Sequence, residues 1–119
     1  MDVVSPVKRL AERFPQIEGV IFADLDGQQI SAHPNDSQES LRHCAIFSGI
    51  ALRRLTVAER LAGRSVVREV NIEGTTGALL AMMVSDENQL VVALGHGGRV
   101  GEVSAAARRT AKELEVLTG

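Results

Sequence analysis

Tryptophan and tyrosine are absent from this chain of 119 residues, and phenylalanine and proline each occur three times and cysteine once. Three phenylalanines leave almost nothing on which nucleic-acid bases could stack. A formal net charge of −2 without any block of Lys and Arg removes the electrostatic footprint of nucleic-acid binding as well. A single cysteine excludes an internal disulfide and cannot build a structural zinc site. The longest apolar runs reach about half of the ~20 residues that a membrane span requires, so no membrane insertion is expected. The opening MDVVSPVKRL lacks the basic-then-apolar layout of a signal peptide, which reads the chain as cytoplasmic. No low-complexity tract, linker or internal repeat interrupts it. Residues 1–119 are therefore expected to fold as one domain around one core.

What the chain does have is the run Cys44-Ala45-Ile46-Phe47-Ser48-Gly49-Ile50-Ala51-Leu52, embedded in a helical pattern over residues 38–62. At roughly 100° per residue, Ile46, Phe47, Ile50, Val57 and Leu61 form a bulky flank. Leu41, Cys44, Ala45, Ser48, Ala51, Leu52, Leu55 and Ala58 form a smaller flank beside it. Only a narrow strip with Arg42, Gly49, Arg53, Thr56 and Arg60 is left for water, with His43, Arg54 and Glu59 at the margins of the apolar arc. A surface helix normally buries a stripe of about 100°. Roughly twice that arc implies two partners: the chain's own core and, in a chain this short, a second copy.

Before this helix, Ser5 and Pro6 supply an N-cap and a first-turn proline for a short helix carrying Val7, Leu10, Ala11 and Phe14, which Pro15 stops. Residues 18–25 are apolar on both alternating faces, and Asp26-Gly27 predicts a type I′ hairpin turn into a more polar edge strand over 28–33. Residues 34–37 then form a loop, and Gly63 closes the long helix. Three strands follow. Residues 66–73 carry Val66, Val70 and Ile72 on one face and Glu69, Asn71 and Glu73 on the other, the pattern of an edge or half-open strand. Residues 77–84 and 90–94 are apolar on both faces and joined by turns short enough only for antiparallel pairing, so they are central. A last amphipathic helix over 99–118 presents Val100, Val103, Ala107, Ala111, Leu114 and Leu117. Doubly apolar central strands need cover on both faces, which a three-layer α/β/α sandwich around a five-stranded antiparallel sheet supplies.

This order of elements, the opening Glu18-Gly19-Val20-Ile21-Phe22-Ala23-Asp24-Leu25-Asp26-Gly27-Gln28 and the Gly-rich joint before the last helix resemble the roadblock / dynein light chain family over nearly the whole chain. The resemblance implies an α+β, profilin-like fold with strand order 2-1-5-4-3, the long helix on one face and the two shorter helices on the other. It also implies a homodimer, or a heterodimer with a related chain, in which the long helices pack together and the third strands pair edge to edge. Leu41, Cys44, Ala45, Ser48, Ala51, Leu52, Leu55, Val67, Glu69 and Asn71 would form that interface. The small side chains among them would let two helix backbones approach closely. The partner implied is a Ras-like small GTPase, met by the strip Arg42, Gly49, Arg53, Thr56 and Arg60, and catalysis by the chain itself is not implied.

Other motifs are weaker. Gly95-His96-Gly97-Gly98-Arg99-Val100-Gly101 stands where a phosphate could meet a helix N-terminus, but Val100 replaces the third Gly of a dinucleotide fingerprint and no P-loop Lys follows. It reads as a turn, with an anion contact through Arg99 as the alternative. Cys44 and His43 are neighbours on a helix and point about 100° apart, so packing is the better account of Cys44 than nucleophilic chemistry. His33, His43 and His96 lack metal-ligand spacing, and Asp26 is explained by turn geometry, so neither metal nor cofactor is expected. Arg53 could act in trans on a GTPase, since arginine stabilises phosphoryl-transfer charge. Three function classes follow: a dimeric GTPase regulator, with stimulated hydrolysis by docking as one outcome; a structural adaptor; and a small-molecule sensor, against which the compact apolar elements argue.

Overall fold

The computed structural model describes residues 2–34, 39–64, 66–95 and 100–119. Helix α1 spans Val4–Arg13, with Pro6, Val7 and Leu10 buried. Its cap differs from the expected Ser5. The Asp2 carboxylate accepts the N–H groups of Val4 and Ser5 at 3.0 and 3.1 Å, and Ser5 adds its hydroxyl to the same carboxylate. These bonds from Ser5 hold the Asp2 carboxyl below its usual range. A carboxylate two residues before the helix can reach more of the free amides than a hydroxyl inside the first turn.

Strands β1 (Ile17–Asp24) and β2 (Gln29–His33) follow, then α2 (Glu39–Leu61), β3 (Glu69–Glu73), β4 (Gly77–Met83), β5 (Asn88–Gly95) and α3 (Val100–Thr118). The five strands form one antiparallel sheet in the order β2-β1-β5-β4-β3, as expected. Helices α1 and α3 cover one face through Val7, Leu10, Val103, Ala107 and Leu114 on Val20, Phe22, Leu80, Leu90 and Val92. Helix α2 covers the other, above Ile21, Ala23, Ala32, Ala81 and Val91. Successive strand residues point to opposite faces, so the doubly apolar runs at 18–25, 77–84 and 90–94 serve both layers.

The β1–β2 turn is not type I′. That turn needs positive φ at both central residues, whereas Asp26 has none and Gly27 has φ +87°. Gly27 N–H donates to Asp24 O at 3.0 Å, and the Asp24 carboxylate accepts from the N–H groups of Asp26 and Gln28, each at 2.9 Å. The side chain of Asp24 makes a longer turn ending in a left-handed glycine the better solution. At the far end of α2, Gly63 (φ +75°) and Arg64 donate to Arg60 O and Glu59 O at 3.0 and 2.7 Å, the paired bonds of a glycine C-cap. Strand β3 is shorter than expected because pairing with β4 begins at Glu69. Val67 and Arg68, where the alternation breaks, precede it. The start of α2 at Gln38, most of the 34–37 loop and the start of the last helix at Arg99 lie outside the described residues.

Candidate functional site

Small side chains bring α2 onto the sheet. Its buried residues are Leu41, Ala45, Ser48, Gly49 and Leu52, and the strand residues beneath include Ala23, Ala32 and Ala81. With so little side chain between them the backbones nearly touch: a Cβ built on Gly49 would lie 2.0 Å from Leu25 O. The contact is locked by Gln89 of β5, which is fully buried. Ser48 Oγ donates to Gln89 Oε1 at 2.8 Å, while Gln89 Nε2 donates to Ala45 O at 2.7 Å and Asp24 O at 3.0 Å. One amide thus joins β5, the end of β1 and two turns of α2. No buried side-chain polar atom among the described residues is left without a partner.

With its small flank turned inward, α2 turns its bulky flank outward. Phe47, Ile50, Val57 and Leu61 are 69%, 41%, 56% and 85% exposed. Below the last turns of α2, at the end of the sheet, a groove of about 960 Å³ opens between the helix, the 24–26 turn, the 66–68 segment and the β4–β5 turn. It is an open surface groove and not an internal cavity. Arg53 spans one end of it, donating to Asp26 Oδ1 at 2.8 Å.

No protein-family model and no curated protein matches the sequence. Solved structures do match. A roadblock/LC7 domain from Streptomyces avermitilis superposes with a TM-score of 0.87 at 18% identity, over 99% of this chain and 98% of that one. Myxococcus xanthus MglB superposes with a TM-score of 0.85 at 19% identity, over 98% and 94%. The chain has the roadblock/LC7 fold. Profilin IA of Acanthamoeba castellanii shares its profilin-like outline more distantly, with a TM-score of 0.67 at 11% identity over 99% and 100% of the two chains.

Within this roadblock fold the expected interface divides. Leu41, Ala45, Ser48 and Leu52 belong to the chain's own core and cannot meet a second copy while α2 stays on its sheet. The physics of close approach holds, but the surface approached is the sheet and not a second helix. Cys44 and Ala51 are half-buried and Leu55 is exposed. Val67 is half-buried, and its N–H donates to Thr56 Oγ1 at 3.4 Å. Asn71 is exposed on the edge strand, and Glu69 accepts two bonds from Arg108 of α3 at 2.6 and 3.0 Å. Of the strip expected to meet a partner, Gly49 is buried against Leu25, while Arg42, Arg53 and Arg60 are exposed and Thr56 is half-buried.

Burial pushes the Cys44 thiol up from its ordinary value, which lowers its thiolate fraction. Cys44 should therefore react with iodoacetamide at about pH 8 more slowly than free cysteine does. Mass spectrometry of a time course measures this, and a faster reaction would reveal an activated thiol. His33 and His43 lie on β2 and α2. His96, Arg99 and the glycines between them, where an anion contact was considered, lie outside the described residues. Among the described residues no helix is long and apolar enough to cross a membrane. Sequence reasoning missed Gln89. Its signal was the two-residue period that puts it in phase with Val91 and Ala93, on the α2 face of β5.

Proposed function

We propose that residues 1–119 act as a single roadblock-like domain, a non-catalytic regulator or scaffold that associates with a second copy or a related chain and docks a Ras-like small GTPase. The observation that carries this reading is the outward apolar face of α2, with Phe47, Ile50, Val57 and Leu61 exposed in one row and Arg42, Arg53 and Arg60 beside it. Large contiguous apolar surface on a small protein marks an interaction site. Strand β3 is an edge strand, and its free backbone groups offer a second point of self-association. Cys44, Ala51, Leu55, Val67 and Asn71 remain accessible to such a contact, while Arg42, Arg53, Thr56 and Arg60 supply its polar margin. Regulation would follow from unequal affinity for the two nucleotide states of the GTPase, which shifts its population by that difference.

The double variant Phe47→Asp, Leu61→Asp tests the surface. It places charges on exposed positions, so the circular dichroism spectrum should stay unchanged. Light scattering should show the molar mass falling from two copies to one. Affinity capture from native cell extract, run in parallel with GDP and with a non-hydrolysable GTP analogue, should retain a small GTPase on the parent in one lane only. Equal capture in both lanes with no GTPase present would leave the adaptor reading, the alternative within the same surface. An unchanged molar mass in the variant would remove the outer face of α2 from self-association.

A further inference from the structure

Beyond Leu52 no side chain of α2 is buried, so the helix overhangs the groove at the end of the sheet. Backbone bonds order the residues along that sheet end. Leu25 N–H donates to Glu87 O at 3.0 Å, and Met83 N–H donates to Arg68 O at 2.8 Å. Asp86 and Glu87 therefore lie toward β1, and Arg68 toward the edge strand β3. Arg60 lines the same groove, one helical turn beyond Thr56, whose hydroxyl accepts from Val67 of the segment that carries Arg68. Leu25, Leu52, Val57, Val66, Val67 and Met83 supply the apolar part of the lining.

Among the described residues Arg53 has its carboxylate in Asp26, but Arg60, Arg68, Asp86 and Glu87 make no ion pair. Arg60 and Arg68 thus line one groove with Asp86 and Glu87 without neutralising them, and Glu115 of α3 adds a further carboxylate with no ion pair among the described residues. We infer that this groove is a docking site for a short segment of a partner protein, apolar in its middle, with Lys or Arg at the end that meets Asp86 and Glu87 and Asp or Glu at the end that meets Arg60 and Arg68. Charge complementarity selects this occupant. A segment with charges of one sign would face repulsion at one end, and an uncharged one would leave both ends unmatched. The site adjoins the outward apolar row of α2 used above, with Val57 in both but Phe47, Ile50 and Leu61 outside the lining, and reads the direction of the bound segment as well as its composition.

The test uses synthetic peptides of about 14 residues, kept near the length at which isolated helices are marginal so that no one conformation is imposed. Two peptides share one composition, with two Lys and two Glu at opposite ends of an apolar middle, but run in opposite order. Two more carry only Lys or only Glu at their ends. Fluorescence anisotropy against the full chain should show one order binding about tenfold tighter than the other order and than either uniform peptide. The fourfold variant Arg60→Glu, Arg68→Glu, Asp86→Lys, Glu87→Lys should invert the preferred order, and all four positions are exposed, so the fold should tolerate it. The Phe47→Asp, Leu61→Asp variant should keep the preference of the parent. Equal binding of both orders, no binding of any peptide, or an unchanged order in the fourfold variant would each overturn the inference. Loss of binding in the Phe47→Asp, Leu61→Asp variant would overturn it too, by moving the peptide to the outer face. Phe47 and Leu61 lie outside the groove lining, so the molar mass of the Phe47→Asp, Leu61→Asp variant and the peptide preference can fail separately.

Discussion

Gly49→Ala is expected to destabilise the protein by about 2–3 kcal/mol and to lower its melting temperature by roughly 10 °C, although alanine is the best helix former. On an exposed helix the same change would stabilise by about 0.5–1 kcal/mol. The sign reverses because the added Cβ would stand 2.0 Å from Leu25 O and 3.0 Å from Gln89 Nε2. Neither neighbour is free to yield. Leu25 lies in a turn held by Asp24, and Gln89 is fixed by three hydrogen bonds. The helix would have to lift from the sheet, which opens the small-residue layer beneath Ala45 and Leu52. Thermal unfolding followed by circular dichroism measures the effect. A melting temperature at or above that of the parent would mean that Gly49 faces solvent and that α2 is seated differently.

Gln89→Leu should cost about 2–3 kcal/mol, since it keeps a similar volume but removes two buried hydrogen bonds and one partly buried one, worth about 1 kcal/mol each. The loss is moderated by remaining partners. Ser48 Oγ can still reach Ala45 O at 3.3 Å, and Asp24 O still accepts from Gly27 N–H at 3.0 Å. Removing the hydroxyl as well should cost little more, because its bond to Gln89 is already gone and only the longer contact with Ala45 O remains. Ser48→Ala in the Gln89→Leu background should therefore cost less than Ser48→Ala alone. Denaturant unfolding of the four proteins in that cycle gives the coupling directly. Strict additivity would show that the serine and the glutamine do not act as one unit.

Ser48 also illustrates why the small flank of α2, expected at an interface, is found against the chain's own sheet. Its size, shared with Ala45, signals a close approach, whereas Gly49, which makes the tightest part of that approach, was expected on the water-facing strip. Nothing in a helical projection says what is approached. The β strands answer it: Ala23, Ala32 and Ala81 thin the sheet surface where α2 lies, so a small flank fits there and a flank of Phe47, Ile50 and Val57 would not. The alanines were visible in the chain, but their alignment under α2 needs the strand register, in which Ile21 stands beside both Ala32 and Val91. A charge placed at Ser48 would consequently disturb the core of one copy, and the outward Phe47 is the informative position for self-association. The role of Asp24 was not legible in the sequence for a related reason. Its role depends on the Asp26 and Gln28 amides converging on one carboxylate oxygen, a relation set by three-dimensional turn geometry.

By itself the sequence determined the element order, the antiparallel sheet, the two-sided burial of its central strands and the excess of apolar surface on α2. These depend on periodicity and on turn chemistry, which act over a few neighbouring residues. Only the tertiary structure decided which flank of α2 is core and which is surface, that Gly49 and Gln89 hold the helix down, and that Arg60, Arg68, Asp86 and Glu87 share one groove. Each of these joins residues far apart in the chain, and a contact of that kind is set by how the layers stack, which no local pattern encodes.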